Sequence, residues 1–331
     1  MCGIAGVLNF DGRPVAQQTI DCFTDSLAHR GPDGRGTWKN DPCGIALGHR
    51  RLAILDLSES GHQPMAYLDG RYIITFNGEI YNFLEIRAEL KTDGYTFFSD
   101  SDTEVVLAAY DKWGPEMLLR FNGMWAFAIW DAKERTLFLA RDRFGIKPLH
   151  YRLAPQGLAF ASELKAFHHL DGYHAELDIQ TAGLASRQAF RVEGSERTLF
   201  KGVLRLQGGH SALVRNGRMA ISRWWNTLDH LVSPPPTLEV QAEEFYRLFS
   251  DSVRLRMRSD VKVGTCLSGG FDSTAVACTM AKMASGAAVG RQAADWRHAF
   301  VATFPGKLND EQPQAEEAAN YAGVKTLLLE I

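Results

Sequence analysis

The sequence lacks the marks of a secreted, membrane-spanning or polyanion-binding chain. Its five cysteines, Cys2, Cys22, Cys43, Cys266 and Cys278, are irregularly spaced with no Cys-x-x-Cys. That argues against a disulfide framework and a zinc site, and a reducing cytoplasm fits best. No apolar run approaches the ~18 residues that a membrane helix needs. The N-terminus has no basic segment followed by an apolar one, so no signal peptide is read. Charge is nearly balanced, at a formal net of -3, which gives no reason to expect nucleic acid as a partner. The densest basic stretch, 254–262, alternates with Leu, Met and Val and reads as a solvated face beside a buried one. No internal repeat is visible.

What is present is ordinary globular material: 331 residues, 45% hydrophobic and 23% charged, enough for about two domains. Up to residue 226 the pattern is of strands with a few helices. Strands are expected at 4–10, 44–48, 52–57 and 72–76, and helices at 15–29, 82–91 and 103–113. Two antiparallel hairpins follow, at 124–140 and 149–161, because so few residues cannot make a parallel crossover. Residues 227–237 read as a linker, since Pro234, Pro235 and Pro236 have no amide donor for a helix or ladder. From 238 to 331 helix and strand alternate: helix 238–257, strand 261–267, helix 273–284, strand 299–304, helix 311–321 and a final apolar run 326–331. Alternation of this kind implies a parallel α/β sheet. A strand at 326–331 with no returning helix leaves that sheet short of cover, so this domain is expected to be incomplete.

The chain opens Met1-Cys2-Gly3-Ile4. A cysteine beside the terminus can simply be a small buried residue. If Met1 is removed, however, Cys2 carries a thiol and a free α-amine together. An amine with an ordinary pKa near ~8 can act as base at neutral pH, and a thiolate attacks a carboxamide with little further activation.

The company of Cys2 decides between these readings. Cys2-Gly3-Ile4-Ala5-Gly6 is followed by His29-Arg30-Gly31-Pro32-Asp33, Arg51-Leu52-Ala53-Ile54 and Phe76-Asn77-Gly78-Glu79-Ile80-Tyr81-Asn82. Then come Ser101-Asp102-Thr103-Glu104, Asn122-Gly123-Met124-Trp125-Ala126-Phe127, the run from Arg141 to Leu149, and Ala161-Ser162-Glu163-Leu164-Lys165. In this order they resemble the class II glutamine amidotransferases of the asparagine synthetase type, whose N-terminal cysteine is the nucleophile. The resemblance implies an N-terminal Ntn-type αββα sandwich. It also implies that Asn77 and Gly78 form the oxyanion hole, that Arg51 grips the α-carboxylate of glutamine, and that Glu79 and Asp102 hold its α-ammonium. Arg30, Arg50, Arg141 and Asp142 are read as structural.

Past the linker, an apolar strand runs into Ser268-Gly269-Gly270-Phe271-Asp272-Ser273 and then a helix. Glycines let several N–H groups face one anion, and the helix N-terminus adds its dipole. The turn is similar to the pyrophosphate loop of ATP pyrophosphatases, which split ATP into AMP and pyrophosphate; leucine is commoner there than Phe271. The resemblance implies that Ser268, Gly269, Gly270, Asp272 and Ser273 bind ATP, with Mg2+ as companion ion, and it assigns no metal ligand. The loop lacks the Gly-Lys-Ser/Thr of a Walker A, which disfavours γ-phosphoryl transfer. Cys266 and Cys278, flanking it, read as core.

Together the two halves imply glutamine hydrolysis, activation of aspartate as an acyl-adenylate, and attack by ammonia. The resemblance also allows a homodimer. An amidotransferase for another carboxylate, in a secondary-metabolite, cell-envelope or osmolyte pathway, is a second reading. A regulatory fragment that binds nucleotide or glutamine without turnover is a reading of another class.

Overall fold

The computed structural model describes residues 1–331 other than 285–290, 294 and 309. It divides into two compact units, Met1–Leu231 and Val232–Ile331. The division lies within residues 227–237.

In the first unit, β1 (Gly3–Asn9) is followed by α1 (Gln17–Asp25), β2 (Gly34–Asn40), β3 (Ile45–Arg51), β4 (Met65–Tyr67) and β5 (Tyr72–Ile80). Three helices come next: α2 (Phe83–Thr92), α3 (Asp102–Trp113) and the short α4 (Met117–Arg120). The hairpins β6 (Gly123–Asp131) with β7 (Thr136–Arg141) and β8 (His150–Ala154) with β9 (Gly157–Ala161) follow. After them lie α5 (Ile179–Glu193), β10 (Leu204–Arg205), β11 (His210–Arg215) and β12 (Arg218–Arg223). The strands form two antiparallel sheets, ordered β10-β8-β9-β1-β3-β2 and β12-β11-β7-β6-β5-β4.

The period of two along each strand builds the layers. Ile4, Leu47 and Phe160 of the first sheet meet Ala128, Trp130 and Leu139 of the second in the central core. Their neighbours Ala5, Ala159 and Ala161 face outward onto Phe23 and Leu27, at and just beyond α1, and onto Phe167. In the second sheet Ile74, Phe127 and Phe138 face outward onto α2 and α3, against Ile86, Leu90, Val105 and Val106. Helix, sheet, sheet and helix are therefore stacked as an αββα sandwich.

Three expectations need correction here. Residues 52–57 are not a strand: the carbonyls of Leu55 and Asp56 accept from the Arg51 side chain, and Asp56 has φ +53°. The helix read over 15–29 is confined to Gln17–Asp25, because a 3-10 turn at Ala28–Arg30 lets Arg30 reach back to Cys2. The strands β2, β4, β10, β11 and β12 and the helices α4 and α5 were not foreseen.

The second unit contains α6 (Leu238–Arg256), β13 (Gly264–Cys266), α7 (Phe271–Ala284), β14 (His298–Thr303), α8 (Gln312–Ala322) and β15 (Lys325–Glu330). The strands are parallel in the order β13-β14-β15. Ala299 and Val301 of β14 pack into a core with Ala277, Met280, Ala315 and Ala319. On the opposite face Phe300 is 41% exposed beside the half-exposed Leu327 and Leu329 of β15, and Leu328, on the Val301 face, is also half exposed. Cys266 is exposed rather than core, because it pairs with Phe300 at the sheet edge. The strand read over 261–267 shrinks to the three residues that find partners in β14.

Burial separates the two sheets in energetic weight. Leu47→Ala, in the fully buried inter-sheet core, is expected to cost ~2–5 kcal/mol in urea unfolding. Leu328→Ala, half exposed on β15, is expected to cost under about 1 kcal/mol in the transition of its own unit. Equal costs would contradict this layering.

Candidate active site

The residues singled out in the first unit come from four elements and meet in one cavity of about 160 Å³. Cys2 precedes β1, Arg51 ends β3, Asn77, Gly78 and Glu79 lie in β5, and Asp102 opens α3. All six line the cavity.

The main chain of β5 orients the site. Trp125 of β6 donates its N–H to Asp142 Oδ2 at 3.2 Å and accepts from the Asp142 N–H at 2.8 Å. It therefore faces β7, not its β5 partner Gly78. Main-chain groups alternate sides along a strand. Asn77 consequently bonds toward β6, while the N–H groups of Phe76, Gly78 and Ile80 face the other edge, past the end of β4. Side chains take two of these donors: Gln63 Oε1 accepts from Phe76 at 2.7 Å, and Asp102 Oδ2 accepts from Ile80 at 2.8 Å. The Gly78 N–H lies between them. A Cβ on Gly78 would sit 2.3 Å from the Met124 carbonyl oxygen, so only glycine fits. Asn77 is 1% exposed, and neither Nδ2 nor Oδ1 has a partner among the described residues. Leaving a buried amide unpaired costs roughly 1–3 kcal/mol, so it calls for an explanation.

Cys2 is held at both ends. Its carbonyl accepts from Arg30 Nε at 2.9 Å, and Arg30 Nη1 is anchored on Glu163 at 2.8 Å. Its Sγ accepts the Leu52 N–H at 3.4 Å. Burial pushes the thiol pKa up, and the Leu52 N–H opposes that. Met1 lines the same cavity, and its amine is pushed below its ordinary value, chiefly by burial. With Met1 attached, the nitrogen of Cys2 is a peptide nitrogen.

Two carboxyls face this space. Burial, then the nearby Asp102 charge, raises Glu79 to about 7. Burial raises Asp102 to about 6, against the Ile80 hydrogen bond that lowers it. Arg51 is oriented by main-chain carbonyls: Nη1 donates to Ser58 at 3.1 Å, and Nη2 to Leu55 at 3.3 Å and to Asp56. It makes no ion pair with a carboxylate among the described residues.

Two residues of this site were missed. Gln63, which caps β5, carried no sequence signal. Lys147 stood inside the run from Arg141 to Leu149 but was given no role. It is buried at 5% exposure in the cavity wall. Burial lowers its ammonium pKa, while Glu79 and then Cys2 pull it back up. Arg141 and Asp142 do not line this cavity and hold main chain in place. Arg141 donates to the carbonyls of Lys147 and Leu206, and the Asp142 carboxylate accepts the N–H groups of Trp125, Phe144, Ile146 and Lys147.

In the second unit, the glycine turn joins β13 to α7. Ser268 Oγ lies 3.1 Å from Ser273 Oγ and accepts the Gly270 N–H at 3.3 Å. Gly269 has φ +79°, and a Cβ there would lie 2.6 Å from Gln314 Cβ of α8. Asp272, in the first turn of α7, is exposed, and Phe271 is 97% exposed. Among the described residues no group of three or more His, Cys, Asp or Glu could hold a metal ion, and no helix is long and apolar enough to cross a membrane.

Comparison with known proteins matches residues 1–225 to the family described as glutamine amidotransferase domain, and residues 244–331 to asparagine synthase. The chain belongs to the glutamine amidotransferases of the asparagine synthetase (glutamine-hydrolysing) family. A Bacillus subtilis protein named asparagine synthetase [glutamine-hydrolyzing] 3 is 38% identical over 83% of this chain and 44% of its own length. A Methanocaldococcus jannaschii protein named putative asparagine synthetase [glutamine-hydrolyzing] 2 is 35% identical over 97% of this chain and 63% of its own. The chain thus spans about half the length of the relatives it matches. Among solved structures, glutamine phosphoribosylpyrophosphate amidotransferase from B. subtilis matches with a TM-score of 0.51 at 16% identity, over 99% of this chain and 81% of that one. That likeness supports the Ntn-type sandwich and speaks to the fold alone.

The raised carboxyls make stability pH-dependent. Between pH 4.5 and about 7 the folded protein keeps a proton on Glu79 that the unfolded chain has lost. The stability conferred by the raised pKa therefore falls as pH rises through this window. Relative to wild type, Glu79→Gln should gain roughly 1–3 kcal/mol on going from pH 5 to pH 8. Thermal melts across that range measure it, and a gain that grew toward low pH would contradict the assignment.

Proposed function

We propose that the first unit hydrolyses glutamine with Cys2 as nucleophile once Met1 is removed. The observation that carries this is the unpaired, fully buried Asn77 carboxamide beside the open Gly78 N–H, in the same cavity as the Cys2 thiol. A buried donor pair with no partner among the described residues suits an oxyanion that exists only during reaction.

The Cys2 amine, exposed by loss of Met1, takes the thiol proton. Sγ then attacks the carboxamide carbon, and the oxyanion is received by Asn77 Nδ2 and the Gly78 N–H. As the tetrahedral intermediate collapses, the C–N bond breaks and the amine returns its proton to the leaving ammonia. The remaining γ-glutamyl thioester is hydrolysed to glutamate and free thiol. Arg51 takes the substrate α-carboxylate, and Asp102 with Glu79 takes its α-ammonium. Lys147 supports the thiolate with its charge. Removal of Met1, which lines the cavity, also makes room for the substrate.

For the second unit, we propose an ATP site at the Ser268–Ser273 turn. The two hydroxyls and the Gly269 and Gly270 amides sit at the N-terminus of α7, which suits a pyrophosphate group. ATP, when bound, supplies the adenylyl group that activates a carboxylate, for which aspartate is the proposed acceptor. Asp272 is the one carboxylate of the turn and would hold magnesium brought in with ATP.

Variants separate the roles in glutaminase assays on protein lacking Met1. Cys2→Ala should abolish ammonia release with the fold intact. Asn77→Ala should lower kcat by ~10²-fold or more with a smaller effect on KM. Arg51→Ala should chiefly raise KM, because it holds a group that does not react. Ammonia release by Cys2→Ala, or a pure KM effect in Asn77→Ala, would overturn the assignment.

A further inference from the structure

A second cavity in the first unit, separate from the Cys2 site, is strongly cationic. It measures about 680 Å³ and lies where the end of β7 and the loop after it meet β8, the end of α5, and β10 to β12. That size falls within the ~300–1,000 Å³ typical of small-molecule sites. Arg141, Arg143, Arg205 and Arg223 line it together with His150 and His210, and Glu193 is the sole acid in its wall.

These guanidinium groups are oriented by neutral oxygens. Arg141 donates to the carbonyls of Lys147, Leu206 and Gly145, and Arg143 to those of Phe121 and Leu119. Arg205 Nη1 is shared among the carbonyls of Val192, Glu193 and Ser195, at 2.8–3.0 Å. Arg223 donates to the Trp225 carbonyl and to Asn226 Oδ1. None of the four makes an ion pair with a carboxylate among the described residues. The nearby Asp142 carboxylate already accepts four main-chain N–H groups. The positive charge is thus fixed in place and left without an anion.

Two further observations point the same way. Burial, against Asp142, lowers the Arg141 pKa to about 10, and burial likewise lowers Arg143 and Arg205, so part of this charge is poorly solvated. His150 is 8% exposed, and its Nδ1 has no partner among the described residues. Burial, then Arg205 and Arg141, holds that ring neutral with a pKa of about 4. Its neutral state keeps it from adding to the repulsion.

We infer that this cavity is a binding site for a phosphate or pyrophosphate group, free or carried on a small molecule. Four guanidiniums from three segments, the end of β7 with its following loop, β10 and β12, suit an anion with two or more charges, and their planar forks match phosphate oxygens. A lone carboxylate would leave most of the charge unbalanced. Phe144, 71% exposed at the rim, gives an apolar surface for the body of a carried phosphate. The inference stands apart from the glutaminase assignment and does not use Cys2.

Calorimetry on the full chain tests it, in a Ser268→Ala/Ser273→Ala background that silences the proposed loop of the second unit. Inorganic pyrophosphate should still bind there. Gln207→Glu places a carboxylate in the cavity wall without removing a guanidinium, and should weaken binding at least ~tenfold. Arg223→Gln, on the exposed edge strand, should weaken it severalfold with an unchanged melting temperature. Tighter binding of pyrophosphate than of AMP would assign a free ion, and the reverse a carried phosphate. Absence of binding in the loop-silenced protein, binding unaffected by both cavity variants, or equal binding of succinate would overturn the proposal.

Discussion

The first unit depends on a mismatch between two strands. β4 ends early and β5 continues, so the second sheet carries an open edge inside the molecule rather than at its rim. Buried main-chain donors need partners, and the chain supplies them from outside the sheet. Gln63 reaches in from the segment before β4, and Asp102 from the first turn of α3. The Asp102 bond fixes α3 against β5, Gln63 adds a bridge by donating Nε2 to Thr103 Oγ1 at 3.2 Å, and the Gly78 amide is left as the open donor between them. A sheet with a full-length β4 would have satisfied that amide and left no site.

Burial drives the chemistry of the cavity in one direction. It raises the Cys2 thiol, Glu79 and Asp102, and it lowers Lys147 and the terminal amine. Each group is pushed toward its neutral form, because charge is poorly solvated there. A zwitterionic amino acid brings one charge of each sign, with Arg51 available for its carboxylate and the two carboxyls for its ammonium. On the proposed reading, a bound glutamine zwitterion favours the ionised forms that burial opposes, and so favours the thiolate while substrate is present.

Much of this site was legible because short motifs mark it. Cys2, Arg51, Asn77, Gly78, Glu79 and Asp102 were picked out by the resemblance of the motifs around them to the class II glutamine amidotransferases, and the fold places all six around one cavity. The apolar strands and the two hairpins were equally plain, since apolar runs separated by short polar turns leave little choice. What failed were segments whose conformation is set by side-chain contacts or by missing cover rather than by their own apolar pattern. Residues 52–57 look extended and apolar, yet Arg51 draws their carbonyls out of any ladder. Cys266 looks apolar beside its strand, yet its face of the sheet is uncovered among the described residues. Gln63 and Lys147 act through position alone, and position is what a sequence without its fold withholds.

The central claim is that a processed Cys2 is the nucleophile facing the Asn77–Gly78 donors. Its most direct test is labelling with the diazoketone analogue of glutamine, followed by peptide mass mapping. The account predicts a single adduct on Cys2 in protein that has lost Met1, prevented by glutamine, and none in protein that retains Met1. Labelling of Cys22, Cys43, Cys266 or Cys278 in its place, or equal labelling of Cys2 with Met1 still attached, would contradict it.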